Sequence, residues 1–259
     1  MKRTPVFLSS DRFPPEFRPW VKDAAIFDSS CSEDARVWFL DREEGFYLKE
    51  APAGSLLTEA RQNRFFYEKG LGPEVIAYAR LERDWLLTRR VPGEDCTARQ
   101  YREDPARLSA LLGELLRRLH ETDPTGCPVT DHRQKYLDTV HKNYAAGLFD
   151  GSGRYHSCAS REEAIAIVRE FAPHLKKDTL LHGDYCLPNI LLDNWRFSGF
   201  IDLGNGGIGD RHVDLYWGAW SLRFNLKDAR WCSRVLDAYG RDRIQPELLE
   251  AIGAFEVFG

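Results

Sequence analysis

His182-Gly183-Asp184-Tyr185-Cys186-Leu187-Pro188-Asn189 runs straight into the apolar Ile190-Leu191-Leu192. A short polar turn later comes Phe200-Ile201-Asp202-Leu203-Gly204. The apolar runs read as short strands around the turn Asp193-Asn194-Trp195-Arg196, so Asp184, Asn189 and Asp202 gather at one end of a hairpin. Two carboxylates and an amide oxygen are hard ligands suited to Mg²⁺. Mg²⁺ carrying phosphates is the usual reason to assemble such groups. Any one of the three could equally cap a turn. The ordered set, H-G-D-x-x-x-x-N followed by I-D-L-G, points to phosphoryl chemistry, because a motif gains meaning from its strand and turn context.

Working outward, the region before this segment divides in two. Val37-Trp38-Phe39-Leu40 and Phe46-Tyr47-Leu48-Lys49 flank the polar turn Asp41 to Gly45 and read as a hairpin. A helix is expected from Leu56 to Lys69, closed by Gly70 and Gly72-Pro73. Val75 to Tyr78 and Trp85 to Thr88 form a second strand pair, and Val91-Pro92-Gly93 reads as a connector. Beyond it, Leu108, Leu111, Leu112, Leu115, Leu116 and Leu119 recur at helical spacing. Ser160-Arg161-Glu162-Glu163 is a capping box ahead of the apolar face Ala164, Ile165, Val168 and Phe171. Gly147 to Ser157 reads as loop, Leu180 to Ile201 as a second β island, and the C-terminal stretch as helix. The expected fold class is therefore α+β, with a small β-rich lobe over residues 1–90 and a larger, mainly helical lobe over residues 91–259 that contains the hairpin.

Composition excludes several classes. The chain has 259 residues, 43% apolar and 29% charged, with a net charge of −4. That near balance gives no general attraction to nucleic acid or anionic membrane. No apolar run reaches the roughly 18–20 residues that cross a bilayer, and no signal-peptide core follows Met1. Cys31, Cys96, Cys127, Cys158, Cys186 and Cys232 form no C-x-x-C pair and read as free thiols of a cytoplasmic protein.

The segment from His182 to Asn189, including Cys186-Leu187-Pro188, resembles the catalytic loop of the aminoglycoside phosphotransferases, and Phe197 to Asp202 resembles their metal hairpin. The likeness is nearest to the aminoglycoside 3'-phosphotransferases and strongest from about Leu180 to Asp214. It implies a bilobal protein-kinase-like fold with a small antiparallel sheet in the N-lobe. It also implies an ATP- or GTP-dependent, Mg²⁺-dependent transfer of a phosphoryl group to a small-molecule hydroxyl, most simply an aminoglycoside 3'-hydroxyl. By the same resemblance, Asp184 orients the acceptor and takes its proton, Asn189 and Asp202 hold Mg²⁺, and Lys49 holds the α- and β-phosphates. Glu59 would partner Lys49, with Glu50 and Glu68 as nearby alternatives. Tyr47 corresponds to an adenine-stacking tyrosine. The carbonyl of Arg89 and the amide of Val91 would meet the adenine edge, and Ser32 in Ser29-Ser30-Cys31-Ser32 would touch phosphate. His182 reads as a loop anchor, Asp214 as the buried aspartate that ties down the catalytic loop, and Trp217 with Trp220 as core.

The acceptor side departs from the pattern. Aminoglycosides are polycations, yet Gly151 to Ser157 carries no carboxylate, and Phe224-Asn225 stands where the family is acidic. From Ser221 to Gly259 six Lys/Arg face six Asp/Glu. Asp150, Glu256 and the terminal carboxylate of Gly259 remain as amine binders. Two alternatives stay open: a kinase of the same fold for a sugar or amino alcohol, and a nucleotide-binding module without activity. The expected partner is the small-molecule acceptor alone, in a monomer or weak dimer.

Overall fold

The computed structural model describes residues 3–31, 35–153 and 156–259. The chain forms two compact units: Met1–Asp95 with Ile190–Gly204, and Cys96–Asn189 with Asn205–Gly259.

The first unit carries strands β1 (Thr4–Val6), β2 (Ala25–Asp28), β3 (Arg36–Asp41), β4 (Phe46–Pro52), β5 (Val75–Arg80) and β6 (Arg83–Arg89). They form one antiparallel sheet in the order β1-β2-β3-β4-β6-β5. The short helix α1 (Arg18–Val21) and the longer α2 (Leu57–Glu68) complete it. Side chains alternate across a strand, so on β4 Phe46, Leu48 and Glu50 take one face while Tyr47 and Lys49 take the other. The first face packs into a core with Phe13, Phe17, Trp38 and Trp85, in which the Trp38 and Trp85 rings stack at 5.8 Å. Burying large aromatics of this kind is the dominant stabilising term.

A second small sheet belongs to the same unit. Strand β7 (Glu94–Asp95) pairs with β9 (Ile190–Asp193), which pairs with β10 (Arg196–Phe200). The sequence reading left this hairpin among the helices. In the structure it joins the sheet-bearing unit because β7 offers it a free edge and the Phe200 amide donates to the Leu71 carbonyl at 2.8 Å. The expected β island also splits. Strand β8 (Thr179–Leu181) pairs instead with β11 (Gly207–Gly209), a glycine-rich strand without a period-two signal.

The second unit is helical: α3 (Arg99–Arg102), α4 (Pro105–His120), α5 (His132–Ala145), α6 (Arg161–Phe171), α7 (His212–Leu226), α8 (Arg230–Tyr239) and α9 (Pro246–Glu256). The leucine stripe of α4 is buried as its spacing requires, with Leu108, Leu112, Leu116 and Leu119 fully enclosed. Ser160 caps α6 by accepting from the Glu163 amide at 3.1 Å, while Glu163 reaches back to the Ala159 amide, one residue earlier than the usual box. A core of Val140, Ile165, Val168, Leu248, Ile252 and Phe255 joins α5, α6 and α9. The architecture is α+β, as expected. The six cysteines are free thiols, and no helix among the described residues is long and apolar enough to cross a membrane.

Candidate active site

Two constellations carry the polar chemistry, one in each unit. In the second unit the loop after β8 is fixed through its backbone. Buried Asp214, in the first turn of α7, accepts from the His182 amide at 2.7 Å and the Gly183 amide at 2.8 Å. Gly183 sits at φ +83°, and a Cβ there would stand 2.1 Å from the Asn205 carbonyl oxygen, so only glycine fits. The Asp184 amide donates to His182 Nδ1 at 3.2 Å, which makes His182 a cap for the residue it precedes. Asn189 then donates from Nδ2 to the Asp184 carbonyl at 3.0 Å and to Asp184 Oδ2 at 2.8 Å. Both bonds use the amide nitrogen, which orients the Asn189 oxygen as a hard donor for a cation. The Leu187 amide donates to Ser221 Oγ at 3.0 Å, and a Cβ at Gly218 would meet the Tyr185 ring at 3.2 Å. Asp214, Gly218 and Ser221 thus form one face of α7 that supports the loop.

Asp214 has a further partner. His120 Nε2 lies 3.2 Å from Asp214 Oδ2, and His120 Nδ1 lies 2.9 Å from the Tyr239 hydroxyl. Burial pushes the imidazole below the usual histidine value despite the neighbouring carboxylate, so it is neutral. A carboxylate only accepts, so Nε2 carries the hydrogen and Tyr239 donates to Nδ1. Burial also works against the charge of Asp214, yet the donors around it hold its carboxyl below the usual range. Cys186 is no nucleophile, because burial, with the Asp184 charge adding, pushes its thiol up and keeps it protonated.

In the first unit Lys49 Nζ donates to Glu59 Oε2 at 2.8 Å and to Asp202 Oδ1 at 3.2 Å. Burial disfavours the ammonium, but the two carboxylates outweigh it and raise its pKa above the ordinary lysine value. Burial likewise pushes the Glu59 carboxyl up, against the pull of Lys49. Glu59 stands in the first turn of α2, where the helix dipole favours an anion. Glu50 lies on the opposite face of β4 and pairs with Arg12 at 3.0 Å and Arg83 at 2.8 Å. Asp202 adopts φ +60°, a left-handed conformation that aspartate tolerates better than most residues. Tyr47 shares the Lys49 face, and its hydroxyl accepts from Arg3 at 2.8 Å. Arg89 pairs through Nε with Glu74 at 2.7 Å, and Val91 is buried beside Gly199. Ser32 lies outside the described residues.

The three residues expected to supply carboxylates on the acceptor side all lie in the second unit. The Asp150 amide donates to the Val257 carbonyl at 2.8 Å, and a Cβ at Gly259 would stand 3.3 Å from Glu256 Oε2. Glu256 itself is buried, accepting from the Tyr136 hydroxyl at 2.5 Å and from Trp217. Burial pushes its carboxyl up to about 7, and the charge of Asp184 adds to the effect. His120, Tyr239 and Tyr136 escaped the sequence reading. The histidine had left a signal: His120 falls four residues after Leu116, on the buried stripe of α4, where a polar group needs a partner.

Asn189 in the second unit and Asp202 in the first each carry an oxygen of the hard kind that Mg²⁺ takes, and a cation that keeps waters and phosphate ligands needs only one or two protein oxygens. Among the described residues no group of three His, Cys, Asp or Glu converges as a fully protein-built metal site would require.

Comparison with known proteins agrees with these observations. The phosphotransferase enzyme family matches residues 27–250. A protein of Lactococcus lactis named a probable aminoglycoside 3'-phosphotransferase is 44% identical over 255 residues, covering 97% of each chain. The crystal structure of a type VIII aminoglycoside-3'-phosphotransferase superposes with a TM-score of 0.74 at 25% identity, covering 96% of each chain. An aminoglycoside phosphotransferase of Streptomyces rimosus, solved with ADP and streptomycin, shares the kinase-like fold with a TM-score of 0.64 at 24% identity, covering 85% of this chain and 90% of that one.

Proposed function

The chain belongs to the phosphotransferase enzyme family, and from that premise we propose that it transfers the γ-phosphoryl group of ATP or GTP to the 3'-hydroxyl of an aminoglycoside. The observation that carries the reading is the fixing of Asp184 by Asn189, His182 and the Asp214-bound backbone. In the reaction the acceptor oxygen bonds to the γ-phosphorus and the bond to the β,γ-bridging oxygen breaks. The nucleoside diphosphate leaves, and the acceptor proton passes to the Asp184 carboxylate. Such a reaction asks little covalent chemistry of the protein, so positioning and charge neutralisation carry the catalysis. Lys49, kept charged by Glu59, holds the α- and β-phosphates as a point cation. Asn189 and Asp202 would hold Mg²⁺, which when bound neutralises charge on the phosphates. Tyr47, Arg89 and Val91 would receive the base. Asp150 and the Gly259 carboxylate would give the acceptor side its negative charge, whereas Glu256, buried and held by Tyr136 and Trp217 with its carboxyl pushed up to about 7, would add little.

The 3'-kinase name of the Lactococcus lactis relative, at 44% identity, supports the acceptor and its position. The balanced charge of Ser221 to Gly259 is the observation that favours the second reading, a kinase for a sugar or amino alcohol. A nucleotide-consumption assay on the purified protein separates the two, run with Mg-ATP and Mg-GTP against kanamycin, neomycin and a panel of hydroxylated metabolites. Turnover confined to the metabolites would replace the aminoglycoside as acceptor. No turnover with any hydroxyl compound would leave the nucleotide-binding module.

A further inference from the structure

Helices α4, α5 and α6 each begin with a cap of their own, Asp104, Asp131 or Ser160, whose side chain accepts from an amide of the first turn. Helix α2 has no such local cap. Leu56 stands at its N-cap position, and Ser55 before it turns its hydroxyl to the Pro52 carbonyl at 2.6 Å. The acceptor comes instead from a strand. Asp84 of β6, fully buried, takes the Leu56 amide on Oδ2 at 2.9 Å and the Tyr78 hydroxyl on the same oxygen at 3.1 Å. The Leu56 carbonyl then accepts from the Ala60 amide at 2.8 Å, which starts the helix.

The place of Asp84 in the sheet connects it to Lys49. Strands β4 and β6 pair with Lys49 opposite Leu86 and Ala51 opposite Asp84. Directly opposed residues share a face of the sheet, and so do residues two apart on one strand. Lys49, Ala51, Asp84 and Leu86 therefore point to one side, and Ala51 and Leu86 pack there against Leu56 and Ala60 of α2. Two side chains of that face tie the helix down. Asp84 holds the Leu56 amide, and Lys49 holds Glu59, three residues on. Three residues span about 4.5 Å of helix, less than one turn, so both ties act on the same turn. A 2.8 Å bond between Lys49 and Glu59 leaves little room for that turn to slide.

We propose that Asp84 is a positioning residue of the nucleotide site: by holding the Leu56 amide it sets the first turn of α2 so that Glu59 meets Lys49. The inference rests on the reading of Lys49 as the cation that holds the α- and β-phosphates. Asp84 bonds to Leu56 and Tyr78 and acts on Lys49 through the helix. Without its acceptor the buried Leu56 amide loses its partner, and the first turn shifts or frays to find another. Lys49 then loses the brace that aims its ammonium group.

The test is a double-mutant cycle between Asp84→Ala and Glu59→Ala, read by calorimetry with Mg-ATP and Mg-GTP, so that it needs no acceptor. Asp84→Ala is expected to weaken nucleotide binding about five- to thirtyfold. In steady-state kinetics the loss should fall on the nucleotide KM and leave the acceptor KM within about twofold. Asp84→Asn keeps an acceptor oxygen for the Leu56 amide, so it should bind nucleotide within about two- to fivefold of the parent chain. It carries the same cycle if the alanine variant does not fold. Once Glu59 is gone there is no pair left to position, so either substitution at Asp84 should then change affinity by less than about 1.5-fold. An undiminished further loss on top of Glu59→Ala, or unchanged affinity in Asp84→Ala, overturns the role of Asp84 while leaving the Lys49 reading in place. A Glu59→Ala variant that binds nucleotide as tightly as its parent, or a parent chain that binds neither nucleotide, overturns the Lys49 reading, and the role of Asp84 falls with it.

Discussion

The Lys49 cluster and the Asp184 loop solve different problems. Around Lys49 three charged side chains neutralise one another: one ammonium, two carboxylates, and contacts of 2.8 and 3.2 Å. Neither of those contacts uses a backbone amide, and the arrangement leaves one negative charge in excess, ready for a cation. Around Asp184 the bonds run mostly to the backbone. Asp214 grips two consecutive amides, His182 grips a third, and Asn189 grips the Asp184 carbonyl and carboxylate together. The first cluster holds charge and the second holds position. Damage to the first should therefore weaken nucleotide binding, and damage to the second should slow transfer.

The sharpest separation comes from Asp184→Ala. Removing the group that aligns and deprotonates the acceptor should lower kcat by about 10³ or more, within the range for a lost general base. Nucleotide affinity, read by calorimetry, should stay within about threefold, because Asp184 faces the acceptor and not the nucleotide. Equal loss in both would erase the division of labour. Lys49→Met tests the other side: the nucleotide KM should rise and kcat/KM for nucleotide should fall on the order of a hundredfold, with little change in acceptor KM.

Asp214→Asn should combine a slower reaction with a weaker fold. The amide cannot accept from two backbone N–H groups and His120 as a carboxylate does, and leaving buried donors unsatisfied costs about 1–3 kcal/mol apiece. A loss of about 2–4 kcal/mol in stability and a tenfold or greater fall in kcat are expected, with nucleotide affinity kept. A variant as stable as its parent would show that the three contacts to Asp214 contribute little.

The smallest expected effect belongs to Glu256 and depends on pH. Its carboxyl is pushed up to about 7 from the usual 4.5. Between those values the folded chain holds a proton that the unfolded chain has released, so its contribution to stability falls as pH rises through that window. Glu256→Gln should therefore match the parent at about pH 4 and exceed it by about 1–3 kcal/mol near pH 8, as measured by denaturant unfolding. A gain that is the same at both values would mean that folding does not shift the Glu256 carboxyl.

The two clusters were also unequally legible. Lys49 was named through the family resemblance of its strand, and the structure sets it with Tyr47 on the face of β4 opposite Phe46, Leu48 and Glu50. The Asp184 loop was readable from motif spacing. Of its support, Asp214 was named through the family resemblance, whereas His120 and Tyr239 were not, because they reach Asp214 only through the packing of α4, α7 and α8. The placement of Ile190–Gly204 with the sheet was hidden for the same reason: a two-residue strand, Glu94–Asp95, supplies the pairing edge and has no period to read. Trp217 packs against the core of α5, α6 and α9, as expected, and Trp220 is half-buried beside it.

The central claim, phosphoryl transfer to an aminoglycoside 3'-hydroxyl, has one direct measurement. Kanamycin and its 3'-deoxy analogue are incubated with the protein and Mg-ATP, and the products are read by mass spectrometry and phosphorus NMR. The account predicts one phosphoryl group added to kanamycin, located on the 3'-oxygen, and none added to the analogue. Equal phosphorylation of both compounds, or consumption of ATP with neither modified, would contradict it.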